Sequence, residues 1–447
     1  MKKNHKNSLR KNKRYVKFFI YAFLIEIIYI SFHFIKPLKK ILGDNGVVLR
    51  NFNLFLLVVT LLLINLLLYV LGYREIIKNK IRLKTIILCF ILFNLTLLFV
   101  WPIGSTDIFS YIYQGRILSE HHLNPYITTY STLNNDSFYQ IINNKWSSSP
   151  SVYGPLFVMI SSSLTFMGGN NFMFTLFLFK LFFVIINILC LYLIYKIFKN
   201  QKAIYLCAFN PLILYEFAIN GHNDVLMILF LLLSLYFIFK KENNIKNYSL
   251  ALFFLILSVL IKFISIIFVP IFLLVLLFRI KSIREKIYFI LSSILIILFT
   301  ISALYFPFWG NTQTLSSLIH QTNIYSSIFL SPLISINSIL LKNLHIANYH
   351  SLGIILSRIF FILFYLALMI KIFIKRNIIK TKDLIKYFCI SLFVFYLSFF
   401  TWFMPWYLAL LIILIILRHA ISSKNDRYIN IIHYITLYGI LYYIILR

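Results

Sequence analysis

The stretch FNLFLLVVTLLLINLLLYVL, residues 52–71, contains no charged side chain and decides the fold class. A helix of about 20 residues is roughly 30 Å long, which matches the hydrocarbon thickness of a bilayer. Similar apolar stretches recur along the whole chain of 447 residues, of which 61% are hydrophobic and 12% are charged. No soluble core can bury that fraction of apolar side chains, so the sequence predicts an integral membrane protein.

The apolar stretches predict an all-α polytopic membrane protein with about 12–14 transmembrane helices, in one domain over residues 1–447. The predicted spans lie near residues 16–35, 52–72, 85–103, 172–197, 203–220, 224–239, 248–262, 264–278, 287–308, 352–374, 387–401, 405–417 and 431–446. Segment 153–167 fits either a full crossing or a re-entrant segment. The re-entrant alternative is favoured, because only then do all basic loops between residues 74 and 286 lie on one side.

Charge predicts the topology. The net charge is +31, and most Lys and Arg residues fall in short loops, where they orient helices and contact anionic lipid; a nucleic-acid partner is therefore not expected. Loops 104–152 and 309–351 together contain only Arg116, Lys145 and Lys342 of the 43 basic residues. The positive-inside rule places both loops outside the cell membrane and the basic N-terminus in the cytoplasm.

The first outer loop contains an acidic motif. Read as a helix capped by Ser105 or Thr106, the segment from Asp107 onward places Asp107, Tyr111 and Gln114 on one face at i, i+4 and i+7. Such a short amphipathic helix is expected to lie along the membrane surface. Asp107 is then either a carboxylate that interacts with the helix dipole or a general base at the bilayer boundary.

Further polar residues interrupt the apolar runs. Asn220 to Asp224 form either a solvated turn or part of a site, and Glu216 lies one turn before them, where an ionisable group is costly. Lys262 is either a phosphate partner or a snorkelling lysine. Trp406 and Tyr407 fit an interfacial aromatic belt. No His or Cys spacing indicates a metal site, and the four cysteines all lie in apolar runs.

These motifs, in this order, resemble the GT-C superfamily of polyprenyl-phosphate-dependent glycosyltransferases, and within it the bacterial alpha-1,6-mannosyltransferase branch. The resemblance rests on Asp107-x-x-Ser110-Tyr111-x-x-Gln114-Gly115, Asn124-Pro125-Tyr126, Tyr153-Gly154-Pro155-Leu156, Asn210-Pro211, Gly221-His222-Asn223-Asp224, Lys262, Pro307-Phe308-Trp309-Gly310 and Pro405-Trp406-Tyr407. The resemblance implies a GT-C-like fold with a large first outer loop. It also implies an enzyme that moves a mannose-like hexose from a polyprenyl-phosphate donor to a glycan or glycolipid acceptor.

By the same resemblance Asp107 is the base of an inverting transfer at the outer face, with no metal and no cofactor. The residues expected to bind substrate are Tyr111, Gln114, Arg116, Asn124, Tyr126, Tyr153, His222, Asn223, Asp224, Lys262, Trp406 and Tyr407. Lys262, Arg116 or His222 would stabilise the leaving phosphate. Tyr111, Tyr126 and Trp406 would stack on sugar rings. The alternatives are a lipid-linked glycan flippase or transporter and a ligase that transfers a preassembled polymer.

Overall fold

The computed structural model describes residues 2–35, 52–79, 81–142, 146–240, 244–310, 312, 314, 330–422 and 427–445. These ranges are mainly helical and contain no strand beyond one isolated bridge between Gly310 and Thr312. Five helices are long and apolar enough to cross a membrane, and six shorter apolar helices of 10–17 residues accompany them. The predicted all-α polytopic membrane protein is confirmed.

The N-terminal part of the chain contains six principal helices. They are α1 (Lys2–Ser31), α2 (Phe52–Lys78), α3 (Leu83–Leu98), α4 (Asp107–Ser119), α5 (Pro155–Gly168) and α6 (Phe172–Phe198). Between α4 and α5 the described part of the connecting loop forms a 3₁₀ turn at Tyr130–Thr132 and one helical turn at Tyr139–Ile142. This part of the loop is otherwise irregular.

The rest of the chain contributes eleven further helices within the described ranges. They are α7 (Gln201–Ala208), α8 (Pro211–Leu214), α9 (Asp224–Phe239), α10 (Ile245–Val259), α11 (Phe268–Arg279), α12 (Ile283–Tyr305), α13 (Pro332–Asn343), α14 (Tyr349–Ile374), α15 (Asp383–Ser398), α16 (Tyr407–Ile421) and α17 (Arg427–Ile445). A π-helical turn, Tyr215–Ile219, continues α8, and a 3₁₀ turn, Phe263–Ile267, precedes α11. Each predicted span overlaps a described helix, and 203–220 is divided between two helices. How many of these helices cross the membrane stays a prediction.

Asparagine side chains start several of these helices. Asn171, Asn200 and Asn244 each accept a hydrogen bond from the backbone amide three residues later, at 2.9–3.1 Å. Asn210 accepts from two amides at 3.1 Å and is followed by Pro211 at the first helical position. Such side-chain caps satisfy amides that have no partner within the helix.

Burial separates central helices from peripheral ones. Eleven of the 16 residues of α9 and eleven of the 15 residues of α16 are buried, which marks these helices as the centre of the bundle. In contrast, only 17% of the apolar window of Ile283–Phe308 and 22% of that of α14 is buried. Exposed Leu, Ile and Phe side chains on the outer helices are the surface expected to face lipid.

Helix α4, which begins at Asp107, is not a surface helix, and that prediction was wrong. All residues from Ile108 to Ile117 are buried. Helix α5 runs parallel along one side of α4, since Tyr111 contacts Phe157 and Ser119 bonds to Thr165 at 2.9 Å. The spacing of apolar residues in α4 does not reveal this burial. It predicts that the polar face is exposed to water, but that face packs against protein.

Helix α5 covers the segment whose crossing was ambiguous. It has 14 residues, so it is about 21 Å long, too short for the hydrocarbon core. It packs antiparallel against α6: a side chain at Gly168 would meet Thr175, and Phe157 lies 6.4 Å from Phe183 between ring centroids. It thus accompanies only the first part of α6, which continues to Phe198. This geometry supports the re-entrant alternative, while the membrane position of the segment stays a prediction.

The predicted span 203–220 is divided. Helix α7 and the segment Pro211–Ile219 meet at an angle of 51°, because Asn210 and Pro211 interrupt the helical hydrogen bonds between them. The segment ends in the π-helical turn, and Gly221 follows with φ +68°, a backbone conformation that only glycine adopts readily. The break turns residues 216–223 toward the interior of the bundle, beside the start of α4.

Candidate functional site

Asp107 lies at the first position of α4, where its backbone amide donates to Ser105 Oγ at 3.1 Å. Its side chain is 22% exposed, whereas the residues that follow it along the helix are buried. Around it the structure gathers four more charged or ionisable residues, which we call the charged cluster: Asp107, Glu216, His222, Asp224 and Lys262. Of these, all except Glu216 were predicted site residues.

His222 connects two carboxylates. Its Nδ1 lies 3.5 Å from Asp107 Oδ2 and its Nε2 lies 3.4 Å from Glu216 Oε2. Both distances are long for hydrogen bonds but short enough for ion pairs. The imidazole is fully buried and stacks on Trp406, with ring centroids 4.2 Å apart. His222 is therefore behind Asp107 relative to the exposed surface, and it contacts no solvent.

Glu216 is the site residue that the motifs did not supply. Its side chain is fully buried in the π-helical turn. Its carboxylate accepts hydrogen bonds from Tyr443 Oη at 2.5 Å and Asn220 Nδ2 at 3.0 Å. Its own carbonyl accepts from the backbone amide of His222 at 3.0 Å. Tyr443 lies in α17, so the end of the chain helps to hold this carboxylate.

The two carboxylates control the charge of the imidazole. Burial alone lowers the pKa of His222, but the neighbouring carboxylates of Asp107 and Glu216 outweigh it and raise this pKa to about 9. Burial raises the pKa of Asp107, but His222, Lys262 and Ser105 outweigh it and hold this pKa below its ordinary value. At neutral pH the pair is therefore an imidazolium beside a carboxylate.

Lys262 supplies the second positive charge. Its Nζ lies 2.7 Å from Asp224 Oδ2 and 4.6 Å from the ring centroid of Tyr407. The side chain of Lys262 is 19% exposed, while that of Asp224 is 2% exposed. Lysine is thus the accessible member of the pair. Asp224 lies at the start of α9, so it also interacts favourably with the helix dipole.

The Tyr153-Gly154 motif positions the turn that bears Lys262. The amide of Gly154 donates to the carbonyl of Ile261 at 3.1 Å. A Cβ at position 154 would lie 2.0 Å from the carbonyl oxygen of Leu260, so only glycine permits this backbone approach. Gly154 is therefore required for packing, and this contact places the start of α5 next to Lys262.

Tyr111 and Asn223 fasten α4 to the loop that carries His222. The hydroxyl of Tyr111 donates to Asn223 Oδ1 at 3.3 Å, and its ring meets that of Tyr153 edge-on at 5.0 Å. Tyr111 is fully buried and Gln114 is 3% exposed. A sugar-stacking role for Tyr111 stays a prediction; in this structure its ring is covered by protein.

Arg116 lies away from the charged cluster. Its Nε donates to both carboxylate oxygens of Asp136, at 3.0 and 2.9 Å, and its Nη1 donates to the carbonyl of Gly169 at 3.1 Å. Asp136 also contacts His121 at 2.7 Å and Tyr130 Oη at 2.7 Å. With all these partners Arg116 joins the loop after α4 to the turn between α5 and α6. No phosphate contact is needed to account for it.

Asn124 and Tyr126 connect the loop between α4 and α5 to the turn that follows α12. Asn124 Nδ2 donates to the carbonyl of Phe308 at 2.7 Å, and Tyr126 Oη donates to the carbonyl of Tyr153 at 2.8 Å. Tyr126 is 1% exposed and packs edge-on against Phe308 at 5.3 Å. Substrate binding by these two residues, and by the 7% exposed Trp406, stays a prediction.

Arg358 is a cation that the sequence motifs did not single out. It lies in the third turn of α14, a helix long enough to span the membrane, and its Cζ is 5.1 Å from the ring centroid of Phe399. Among the described residues no ion pair involves this guanidinium. Phe399 begins the linker to Trp406 and Tyr407, so Arg358 borders the linker that carries two of the predicted site residues.

Within the described ranges, no group of three or more His, Cys, Asp or Glu side chains is arranged to hold a metal ion. The arrangement instead offers a partly exposed carboxylate supported by a buried imidazolium, next to a partly exposed ammonium group. Such a site is able to accept a proton from a hydroxyl group and to stabilise an anionic leaving group.

Comparison with known proteins gives a family match over this part of the chain. The family described as "Alpha-(1->6)-mannopyranosyltransferase, N-terminal domain" matches residues 34–278, which is more than half of the chain and includes the whole charged cluster. A protein of Mycobacterium tuberculosis (strain ATCC 25618 / H37Rv), alpha-(1->6)-mannopyranosyltransferase A, is 26% identical over 132 residues. That match covers 28% of this chain and 25% of the relative, so the chain matches about a quarter of the relative's length.

Proposed function

Because the chain belongs to the alpha-(1->6)-mannopyranosyltransferase family, we propose that it is a membrane glycosyltransferase. It moves a mannose-like hexose from a polyprenyl-phosphate donor to a glycan or glycolipid acceptor at the outer face. The observation that carries the proposal is the pair of partly exposed, oppositely charged groups, Asp107 and Lys262, in one cluster of a polytopic helical protein.

Asp107 is the base in this proposal. The acceptor hydroxyl attacks the anomeric carbon from the side opposite the phosphate, and its proton passes to the Asp107 carboxylate. The bond from the anomeric carbon to the phosphate oxygen breaks, and polyprenyl phosphate leaves with the electron pair, so the anomeric configuration is inverted. A lowered pKa does not prevent this role, because the hydroxyl becomes strongly acidic as its bond to carbon forms.

The leaving phosphate needs a cation. Lys262 is the best placed of the three residues predicted for this role, because it is partly exposed, whereas Arg116 is enclosed by Asp136 and its neighbours and His222 is fully buried. Arg358 is a second candidate, since it carries a positive charge without a carboxylate partner in the described structure. A charge within a span is costly unless it has a function or a partner.

The proposal is tested with purified protein in proteoliposomes and a panel of donors. The panel contains polyprenyl-phosphate mannose, glucose and galactose, together with GDP-mannose alone. We expect release of polyprenyl phosphate and an acceptor heavier by one hexose, from a lipid-linked donor and in the presence of EDTA. Transfer from GDP-mannose without polyprenyl phosphate would contradict the proposed donor. Movement of intact donor across the bilayer would indicate a flippase, and transfer of a preassembled glycan a ligase.

A further inference from the structure

We propose that His222 and Glu216 are positioning residues of the transfer reaction: Glu216 clamps His222, and His222 holds Asp107 ionised and aimed at the acceptor hydroxyl. This inference rests on the proposed function, in which Asp107 is the base. It assigns His222 a role other than contact with the phosphate, and it adds a buried glutamate that none of the motifs contains.

The order of burial argues for a supporting role. The side chain of Asp107 is 22% exposed, while those of His222 and Glu216 are fully buried. A substrate that reaches Asp107 from the exposed side therefore does not reach His222. The imidazole has one carboxylate at each ring nitrogen, 3.5 and 3.4 Å away, and Trp406 stacked on its face. These three contacts fix the orientation of the ring.

Glu216 is itself held from several directions. Tyr443 Oη and Asn220 Nδ2 donate to its carboxylate, and Asn220 Oδ1 accepts from the amide of Gly104 at 2.9 Å. The same glutamate is thus connected to α17 and to the segment that precedes α4. Burying a carboxylate is expensive without such partners. The cluster therefore fixes the relative positions of the π-helical turn and the start of α4, where Asp107 lies.

The electrostatic support comes from His222, since the imidazolium lies between two carboxylates. Other titratable groups surround the cluster, and they are Lys262, Asp224, Tyr111, Tyr153, Tyr407 and Tyr443.

The experiment measures pH–rate profiles of the full-length protein in proteoliposomes with the lipid-linked donor that the wild type uses. For His222→Gln we expect a lower rate, and we expect the acidic limb of the profile to shift to higher pH by about one to three units, because Asp107 loses a nearby positive charge. For Glu216→Gln we expect the alkaline limb to move downward, because His222 loses one of the two carboxylates that keep it protonated. Each loss of rate should be smaller than that of Asp107→Asn.

Glu26→Gln is the matched control. Glu26 is a half-buried carboxylate that accepts a hydrogen bond from Thr96, away from the charged cluster. We expect this variant to keep both limbs of the wild-type profile. A merely structural role of His222 and Glu216 would lower the rate or the yield without moving either limb, and unchanged limbs in both variants would overturn the inference.

A second measurement does not depend on activity. Since the pKa of His222 is raised in the folded protein, its contribution to stability is complete below its ordinary value of 6.5 and is lost as the pH rises through about 9. In detergent, the melting temperature of the wild type should decrease as the pH rises through this range. The melting temperature of Glu216→Gln should decrease at lower pH. Identical pH dependence in the wild type and His222→Gln would contradict the inference. An inactive wild type that shows the predicted stability profile would contradict only the proposed function.

Discussion

Replacement of Asp107 by Asn separates a catalytic role from a structural one. Asparagine has nearly the size of aspartate and starts helices about equally well, but it does not accept a proton at neutral pH. The variant keeps the helix start and the contact of its backbone amide with Ser105. It removes the negative charge 3.5 Å from His222 Nδ1.

The two roles predict effects of different size. The helix dipole and a partly exposed ion pair each contribute up to about 1 kcal/mol, so the loss of stability should stay near 1–2 kcal/mol. Loss of a general base lowers the rate by roughly 10²- to 10⁴-fold, which corresponds to about 3–5 kcal/mol of activation free energy. The expected increase in activation free energy is larger than the expected loss of stability, so measuring both quantities distinguishes the catalytic role from the structural one.

The assay is the initial rate of polyprenyl phosphate release, with circular dichroism and melting temperature as measures of folding. Ser105→Ala is a suitable control, because it removes the hydroxyl that accepts from the Asp107 amide and leaves the carboxylate in place. Folded Asp107→Asn should be nearly inactive and Ser105→Ala nearly normal. Near-normal transfer by well-folded Asp107→Asn would refute the assignment and leave Asp107 as a residue that interacts with the helix dipole.

Substitutions at Lys262, at Arg116 and in the loops test two cations and the membrane topology. Lys262→Ala should lower kcat for the lipid-linked donor at least about tenfold and Lys262→Arg less, since a cation stabilises the leaving phosphate; equal rates would contradict this role. Arg116→Ala should lower the free energy of unfolding by roughly 3–5 kcal/mol, and with it the melting temperature, because it leaves buried Asp136 without its cation. A variant of normal stability and low rate would instead favour a substrate role for Arg116. In intact cells, an impermeant thiol reagent should label cysteines introduced at exposed positions 135 and 347 but not at exposed position 377. The reverse pattern would contradict the proposed topology.

The sequence predicted the helices well because apolar runs of membrane length have few other interpretations. It did not predict the break at Asn210-Pro211 within a run of otherwise apolar residues. It also placed α4 on the membrane surface, because Asp107, Tyr111 and Gln114 follow the amphipathic period. In the structure α5 packs along α4, and such a contact between segments 46 residues apart has no local signal.

The sequence also predicted part of the candidate site. Asp107, His222, Asp224 and Lys262, chosen from motifs distributed over 156 residues, lie in one cluster. The sequence indicated that Glu216 is an acid within an apolar run. Its partner Tyr443 is 227 residues away, so only the folded chain reveals the pair. Arg116 directly follows the motif that contains Asp107, yet its guanidinium pairs with Asp136 in the loop after α4. Proximity in the sequence therefore did not imply a shared role.

The proposed reaction is a single displacement from a lipid-linked donor, with Asp107 as base. NMR of the product of purified protein and one defined polyprenyl-phosphate sugar gives the anomeric configuration of the transferred hexose. We predict the configuration opposite to that of the donor, with one polyprenyl phosphate released per sugar transferred. Retained configuration, or a hexose covalently attached to the protein, would contradict a single displacement.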